Sequence, residues 1–295
     1  MEDGGGPLRL ATRGSRQALA QATAVATAIE RASSRPVEMV LVETTGDVRQ
    51  DVALHTIGGQ GVFVKEVQRA VLDGRADLAV HSAKDLPSEP AEGLRIAAFT
   101  ERRSPADVLV GSTLDELAEG ATVASGSVRR RAQLAVARPD LRFVELRGNI
   151  DTRLSRIPES GAIVMALAAL EILEMTDRAA ERLDVDRFVP AVGQGCVAVE
   201  CRVDDVATAG AVATVDHAAT RRAVEIERAF LAELGGGCTM PVGGHVHDDE
   251  LHVFLADPAQ GRAEGDVVAL GEGGSHDDDL ARGREAARAV RSRLA

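Results

Sequence analysis

The chain has 295 residues, 34 Lys+Arg against 46 Asp+Glu, a formal charge of −12, and neither Trp nor Tyr. At roughly 100–200 residues per domain this length suggests two or three domains, and 45% hydrophobic residues are enough to give each a core, which argues against disorder. Six Phe in an acidic chain supply neither the aromatic platforms nor the basic groove of a single-strand nucleic-acid binder, and the longest uncharged apolar stretch, Ala162 to Leu170, is far short of the ~20 residues of a membrane span.

The start of the chain, Met1-Glu2-Asp3-Gly4, lacks the cationic opening of a signal peptide, so a cytoplasmic protein is expected. Three cysteines, Cys196, Cys201 and Cys238, make a disulfide scaffold improbable and leave at least one thiol free. Only Lys65 and Lys84 are lysine; the other 32 basic residues are arginine. A Lys-poor, acid-rich, aromatic-poor composition suits a protein adapted to high salt or one from a GC-rich genome. The runs Asp248-Asp249-Glu250 and Asp277-Asp278-Asp279 fit a solvated hairpin turn and a helix start. His245, His247 and His252 lie near the first run, but their spacing marks no metal site.

In chain order, Leu8-Arg9-Leu10-Ala11-Thr12 reads as a strand, followed by Ser15 as N-cap and an Ala-rich helix to about Ala32. Val37 to Thr45 alternates as a strand, Phe63 to Leu72 is an amphipathic helix, and Asp77 to Ser82 is a short apolar strand ending in His81-Ser82-Ala83-Lys84-Asp85-Leu86-Pro87. After Glu101-Arg102-Arg103-Ser104-Pro105, a crossing between domains, strands are predicted near 107–111, 122–125, 141–146 and 162–166. Helices are predicted near 113–118, 127–137, 149–157 and 166–174. Cys196 to Cys201 reads as a strand and 217–234 as a strong helix, broken by Gly235-Gly236-Gly237. Strands near 241–247, 251–257 and 263–270 and a helix over 278–294 close the chain as a small α+β domain. The fold class is α/β: two alternating units with largely parallel sheets, plus that C-terminal domain. The expected boundaries are 8–98 with 196–213, then 102–192, then 217–295.

Ligands of open α/β sheets sit at the carboxyl ends of strands, where several polar residues fall: Arg13 and Ser15; Ser82, Lys84 and Asp85; Ser125, Ser127, Arg129 and Arg130; Arg147, Gly148 and Asn149. Segment 121–156 carries eight Arg against Asp140, Glu145 and Asp151, a local charge of +5 in a chain of −12. Helix N-termini at Ser127 and Asn149 add N–H groups and partial positive charge, which suits carboxylates or phosphates; a solvated helix face reads the charge equally well. By spacing alone Lys84-Asp85 is also an ordinary surface salt bridge. At the mouth of a cleft it becomes an acid–base group or the counter-ion of a cationic intermediate. Gly58-Gly59-Gln60-Gly61 is no phosphate loop, since no Gly-Lys-Ser/Thr follows, and it reads as a mobile lid. Cys238, flanked by glycines and Pro241, lies in an accessible loop, whereas Cys196 and Cys201 belong to an apolar strand.

Taken together the segments resemble the porphobilinogen deaminase (hydroxymethylbilane synthase) family. They run through Ala11-Thr12-Arg13-Gly14-Ser15, Thr45-Gly46-Asp47, Gly61-Val62-Phe63-Val64-Lys65-Glu66, His81 to Pro87, Val128-Arg129-Arg130, Leu146-Arg147-Gly148-Asn149 with Thr152-Arg153-Leu154, Val192-Gly193-Gln194-Gly195, and Gly236-Gly237-Cys238 with Pro241-Val242-Gly243. The resemblance implies two periplasmic-binding-protein-like lobes around a cleft and a third domain carrying the cofactor. It implies a transferase that joins four porphobilinogens head to tail, releasing ammonia, on a dipyrromethane attached by a thioether to Cys238. It also implies that Asp85 is catalytic, assisting departure of the amino group and stabilising the azafulvene cation. Lys84, Ser82, Ser127, Arg129 and Arg130 are then expected at the cofactor, and Arg13, Ser15, Arg147, Arg153 and Gln194 at substrate carboxylates. The partner is the small-molecule substrate, with no nucleic acid, no membrane and no metal, and a monomer is expected.

Three positions depart from the family pattern. Ile172 stands where a basic residue is frequent, Gln60 where Lys is common in a loop (48–61) that here lacks lysine, and Gly126 where a hydroxyl is frequent. A contrasting reading is a two-lobed anion-binding module without chemistry, which gives Cys238 no role. The salt-adapted composition predicts that the melting temperature rises between low and molar KCl; a flat or falling curve removes that reading.

Overall fold

The computed structural model describes residues 6–44, 64–236, 240–271 and 275–295. Its strands are β1 (Leu8–Arg13), β2 (Val37–Val42), β3 (Leu78–Ser82), β4 (Leu94–Phe99), β5 (Asp107–Val110), β6 (Thr122–Ala124), β7 (Arg142–Val144), β8 (Ala162–Ala166), β9 (Glu181–Arg182), β10 (Val197–Arg202), β11 (Val242–His247), β12 (Glu250–Asp257) and β13 (Arg262–Ala269). The helices are α1 (Arg16–Ser33), α2 (Lys65–Leu72), α3 (Val128–Ala137), α4 (Ile150–Leu154), α5 (Leu167–Glu171), α6 (Val206–Ala213), α7 (Ala218–Glu233) and α8 (His276–Leu294). The chain divides into two compact units, residues 1–102 with 196–221 and residues 103–195 with 222–295.

The first unit holds a sheet of order β2-β1-β3-β10-β4. β1 pairs parallel with β2 and β3, while β10 runs antiparallel to β3 and β4. α1 starts because Ser15 turns its side-chain oxygen onto the Ala18 N–H at 3.3 Å. Its Ala22, Val25, Ala26 and Ile29, at the spacing of one helical face, close over Leu8, Leu10, Leu78, Val80 and Val199. α2 buries Val67, Ala70 and Val71 in a second cluster with Ala11, Val42 and Ala79.

The second unit repeats the plan in its sheet β7-β6-β8-β5-β9: β6 is parallel to β7 and β8, and β5 runs antiparallel to β8 and β9. In both sheets the antiparallel return strand is the first one after the chain enters from the other unit, β5 after residue 102 and β10 after residue 195. The second unit also contains the antiparallel meander β11-β12-β13, against which α7 and α8 pack through Ile226, Phe230, Leu251, Val253, Ala287 and Val290. α8 opens with a capping box in which Ser275 and Asp278 exchange hydrogen bonds.

The predicted helix over 113–118 is a single turn. Thr113 Oγ1 is spent on Glu116, and one bond, Leu117 N–H to Thr113 O at 3.2 Å, is too little to propagate a helix. β4, β9 and α6 were not predicted; the pattern of β4 is half-exposed and β9 has two residues. The run Asp277-Asp278-Asp279 is not wholly a solvated surface, because Asp279 is buried and paired with Arg222 at 2.8 Å. Asp248 and Asp249 do form the hairpin turn, both at positive φ.

Phe230 is completely buried on α7 with its ring against the backbone of Gly244. Phe230→Ala is therefore expected to lower the stability of the second unit by about 3–5 kcal/mol, measured by urea unfolding.

Candidate functional site

In the first unit the polar residues gather where β1 and β3 end. β3 runs into a 3-10 turn, Ala83–Asp85, held by the Ala83 N–H on Cys196 O at 2.9 Å and the Leu86 N–H on Ala83 O at 3.2 Å. That turn presents Lys84 and Asp85 half-buried. Asp85 lines a small cavity with Arg13, Gln21, Val64, His81 and Ser82. Ser82 Oγ lies 3.1 Å from Gln21 Nε2 and 3.2 Å from Gln21 Oε1, so α1 fixes its rotamer. Beneath the cavity His81 Nε2 sits 3.1 Å from Glu200 Oε2, which also accepts from Gln68 Nε2 at 2.9 Å; all three residues are buried. Ser15 is spent as the α1 cap, with its side chain half-exposed.

In the second unit Ser127 and Asn149 are N-caps: Ser127 Oγ accepts from the Arg130 N–H at 3.4 Å, and Asn149 Oδ1 from the Thr152 N–H at 2.9 Å. Gly148 has φ +110, and a Cβ there would stand 2.6 Å from Thr152 Cγ2, so the turn between Arg147 and Asn149 requires glycine. Arg153 Nε donates to Gly148 O at 2.9 Å, and Arg147 Nη1 is buried without a hydrogen-bond partner. At Gly126 a Cβ would lie 2.8 Å from Leu146 O, which gives a local reason for glycine at that departure from the family pattern.

Arg129 and Arg130 are buried rather than presented on the surface. Arg129 Nη2 donates to Asp107 Oδ2 at 2.8 Å, and Arg130 donates to Asp107 Oδ1 through Nε at 3.0 Å and Nη2 at 2.8 Å. Their remaining bonds reach Val189 O, Val164 O and Gln194 Oε1. Burial by itself would push the Asp107 carboxyl up, but the two guanidinium groups outweigh it and hold the carboxyl far below the usual range. Burial lowers the Arg129 guanidinium, against the pull of Asp107.

Gln194, expected at substrate carboxylates, is wholly buried, and its amide nitrogen donates to Pro105 O at 2.6 Å and Asp107 Oδ1 at 2.8 Å. The carboxylate it meets belongs to its own chain. Gly195 beside it has φ +86, and a Cβ there would press on Arg103 O at 2.5 Å.

Asp107, Glu200, Gln68 and Glu227 escaped the sequence reading. The signal was there for three of them: Asp107 heads an otherwise apolar strand, Glu200 interrupts one, and Glu227 lies among apolar residues of α7. Cys238, the loop 48–61 and Thr45-Gly46-Asp47 lie outside the described residues. Cys196 and Cys201 are buried thiols, and burial pushes the Cys201 thiol up. Among the described residues no group of three or more His, Cys, Asp or Glu is placed to hold a metal.

Two α/β units of one strand plan each place arginines and helix N-caps at the carboxyl ends of parallel strands, a pattern chemically suited to anions. Residues 8–210 match the family model "Porphobilinogen deaminase, dipyromethane cofactor binding domain", and residues 221–258 match "Porphobilinogen deaminase, C-terminal domain". A porphobilinogen deaminase of Nitratidesulfovibrio vulgaris (strain DP4) is 45% identical over 256 residues, covering 83% of this chain and 81% of its own. A probable porphobilinogen deaminase of Methanopyrus kandleri is 46% identical over 255 residues, covering 84% and 86%. Among solved structures, immunogenic lipoprotein A from Vibrio vulnificus is similar at a TM-score of 0.43 and 11% identity, over 72% of this chain and 96% of that one, too distant to bear on function. The chain belongs to the porphobilinogen deaminase family.

Because the Asp107 carboxyl is held down in the folded protein, the stability it lends is fully present above the ordinary carboxylate value of about 4 and is lost as pH falls toward its depressed folded value. The melting-temperature gap between wild type and Asp107→Asn is therefore expected to be constant from pH 7 to 5 and to shrink below pH 4.

Proposed function

We propose that this chain carries out the reaction of its family: condensation of four porphobilinogens head to tail, with release of four ammonia molecules and then of hydroxymethylbilane, on a dipyrromethane held as a thioether by Cys238. The observation that carries this reading is the family match along 8–210 and 221–258, which includes the segment of Asp85. When bound, the dipyrromethane supplies the pyrrole carbon onto which the first substrate is joined.

Each pyrrole of the growing product brings an acetate and a propionate, so the ligand gains two negative charges per ring. The described residues fit such a group. Arg147 Nη1 and Arg129 Nε are buried N–H donors without partners, and a guanidinium N–H is strongest when it meets a carboxylate. Arg13, Arg147, Arg153 and Lys84 serve as carboxylate ligands in this reading, with Ser15, Ser82 and Ser127 adding hydroxyls beside helix N-termini. Arg129 and Arg130 hold the cofactor's carboxylates while remaining braced by Asp107.

Asp85 does the proton work. Its carboxylate, held on the 3-10 turn in the same cavity as Arg13, accepts pyrrole N–H groups, assists departure of the amino group as ammonia, and offsets the positive charge left on the pyrrole. Half-burial keeps water from screening that charge while leaving the side chain within reach of a substrate. A cytoplasmic monomer is part of the same proposal. Among the described residues no helix is long and apolar enough to cross a membrane.

The intact mass of the purified chain is expected to exceed the sequence mass by one dipyrromethane and to return to it in Cys238→Ala. Asp85→Asn is expected to keep the adduct site and lose turnover by at least a hundredfold, read as ammonia released from porphobilinogen. An unmodified wild-type chain from a host that makes porphobilinogen, or near-normal turnover in Asp85→Asn, refutes the respective assignment.

A further inference from the structure

The second lobe buries two cations against one anion. The side chains of Arg129, Arg130 and Asp107 are 5%, 9% and 2% exposed, and all three meet within hydrogen-bond distance. One positive charge in this dehydrated cluster is left uncancelled, and a buried charge of that kind is costly until an anion meets it. Donor bookkeeping points the same way. Arg129 is bonded at Nη1, to Val189 O at 2.7 Å, and at Nη2, to Asp107, while its Nε N–H is buried with no partner. Arg130 is bonded at Nε, Nη1 and Nη2.

Without Asp107 the lobe would have to bury two adjacent guanidinium groups and no counter-charge before any ligand arrived. With it, the pair is pinned edge to edge on the two oxygens of one carboxylate, each arginine on its own oxygen. Gln194 holds that carboxylate in turn at 2.8 Å. The loop carrying Gln194 is itself fastened to the C-terminal sheet and helix: the Gly193 N–H donates to Glu227 Oε2 at 2.8 Å, and Glu227 Oε1 accepts from the Val246 N–H at 2.9 Å.

We propose that Asp107 is the positioning residue of this lobe: it fixes Arg129 and Arg130 relative to one another and cancels one of their two charges, leaving the pair with capacity for one ligand carboxylate. The proposal rests on the functional reading above for the identity of that ligand, a carboxylate of the bound oligopyrrole. Asp107 touches neither substrate nor cofactor; it acts through the arginines.

The test compares the full chain as wild type, Asp107→Glu and Asp107→Asn, each also combined with Cys238→Ala so that no adduct forms. In the Cys238→Ala background, thermal melting is followed against succinate as the probe anion. Removing the Asp107 charge leaves two uncancelled cations, so the rise in melting temperature with succinate is expected to be at least twice as large in Asp107→Asn as in its Asp107 counterpart. In the adduct-bearing chains, Asp107→Glu keeps the charge but moves the carboxylate by one methylene. It is expected to cut kcat per adduct-bearing chain at least tenfold, with KM for porphobilinogen within twofold, because the held primer is misplaced and the incoming substrate is not. A succinate response no larger in Asp107→Asn, or a kcat within twofold in Asp107→Glu, overturns the proposal. If Asp107→Asn does not fold, the kcat and KM pair of Asp107→Glu decides. A wild-type chain without adduct and without ammonia release refutes the functional reading instead, and the succinate response still decides the role of Asp107.

Discussion

Each parallel sheet of this protein is completed by one antiparallel strand delivered from the other end of a crossing. β10 enters the first sheet after the chain has built the whole second one, and β5 opens the second directly after the first crossing. The first sheet therefore stays open between β3 and β4 until residue 197 has been made, and its core cluster, which includes Val197 and Val199, cannot close before then. The same constraint sets the polar architecture. The strand ends that carry Arg13, Ser82 and Asp85 in one unit, and Ser127 and Arg147 in the other, belong to the parallel strands, while the return strands contribute buried acids, Glu200 and Asp107.

Those acids explain how a chain of net charge −12 can hold cationic groups in its interior. The excess negative charge is a property of the surface, where it is solvated and screened. Inside, buried charges meet specific partners: Asp107 holds Arg129 and Arg130 and cancels one of their two charges, and Asp279 pairs with Arg222. Arginine suits these sites better than lysine, because its planar fork spreads the charge over several hydrogen bonds in fixed directions. With two lysines in the chain, the one beside Asp85 is the only flexible cation in that turn.

Much of the fold was legible because its elements are short, strongly patterned and capped by residues with local chemistry. Ser15, Ser127 and Asn149 each start a helix where the sequence places them, since an N-cap bond spans three residues. What misled was length and exposure. Residues 113–118 have helical character but one stabilising turn, and β4 shows no clean alternation because both of its faces are partly covered. At the site, the residue types and their strand-end positions were readable. The partners were not: Gln194 reads like a polar loop residue and lies wholly buried on Asp107, 87 positions away in the chain.

The sequence by itself determined the family, through short motifs such as Lys84-Asp85 before Pro87 and the glycine-flanked Cys238, and it marked the residues proposed to react. These are properties of residue type and short spacing, which survive without any knowledge of long-range contacts. Only the tertiary structure decided which arginines are spare and which are already engaged. Whether a guanidinium is available to a ligand depends on the carboxylates, carbonyls and burial that distant strands bring to it, and for Arg129 and Arg130 that means Asp107, Val164 and Val189 from three separate parts of the chain.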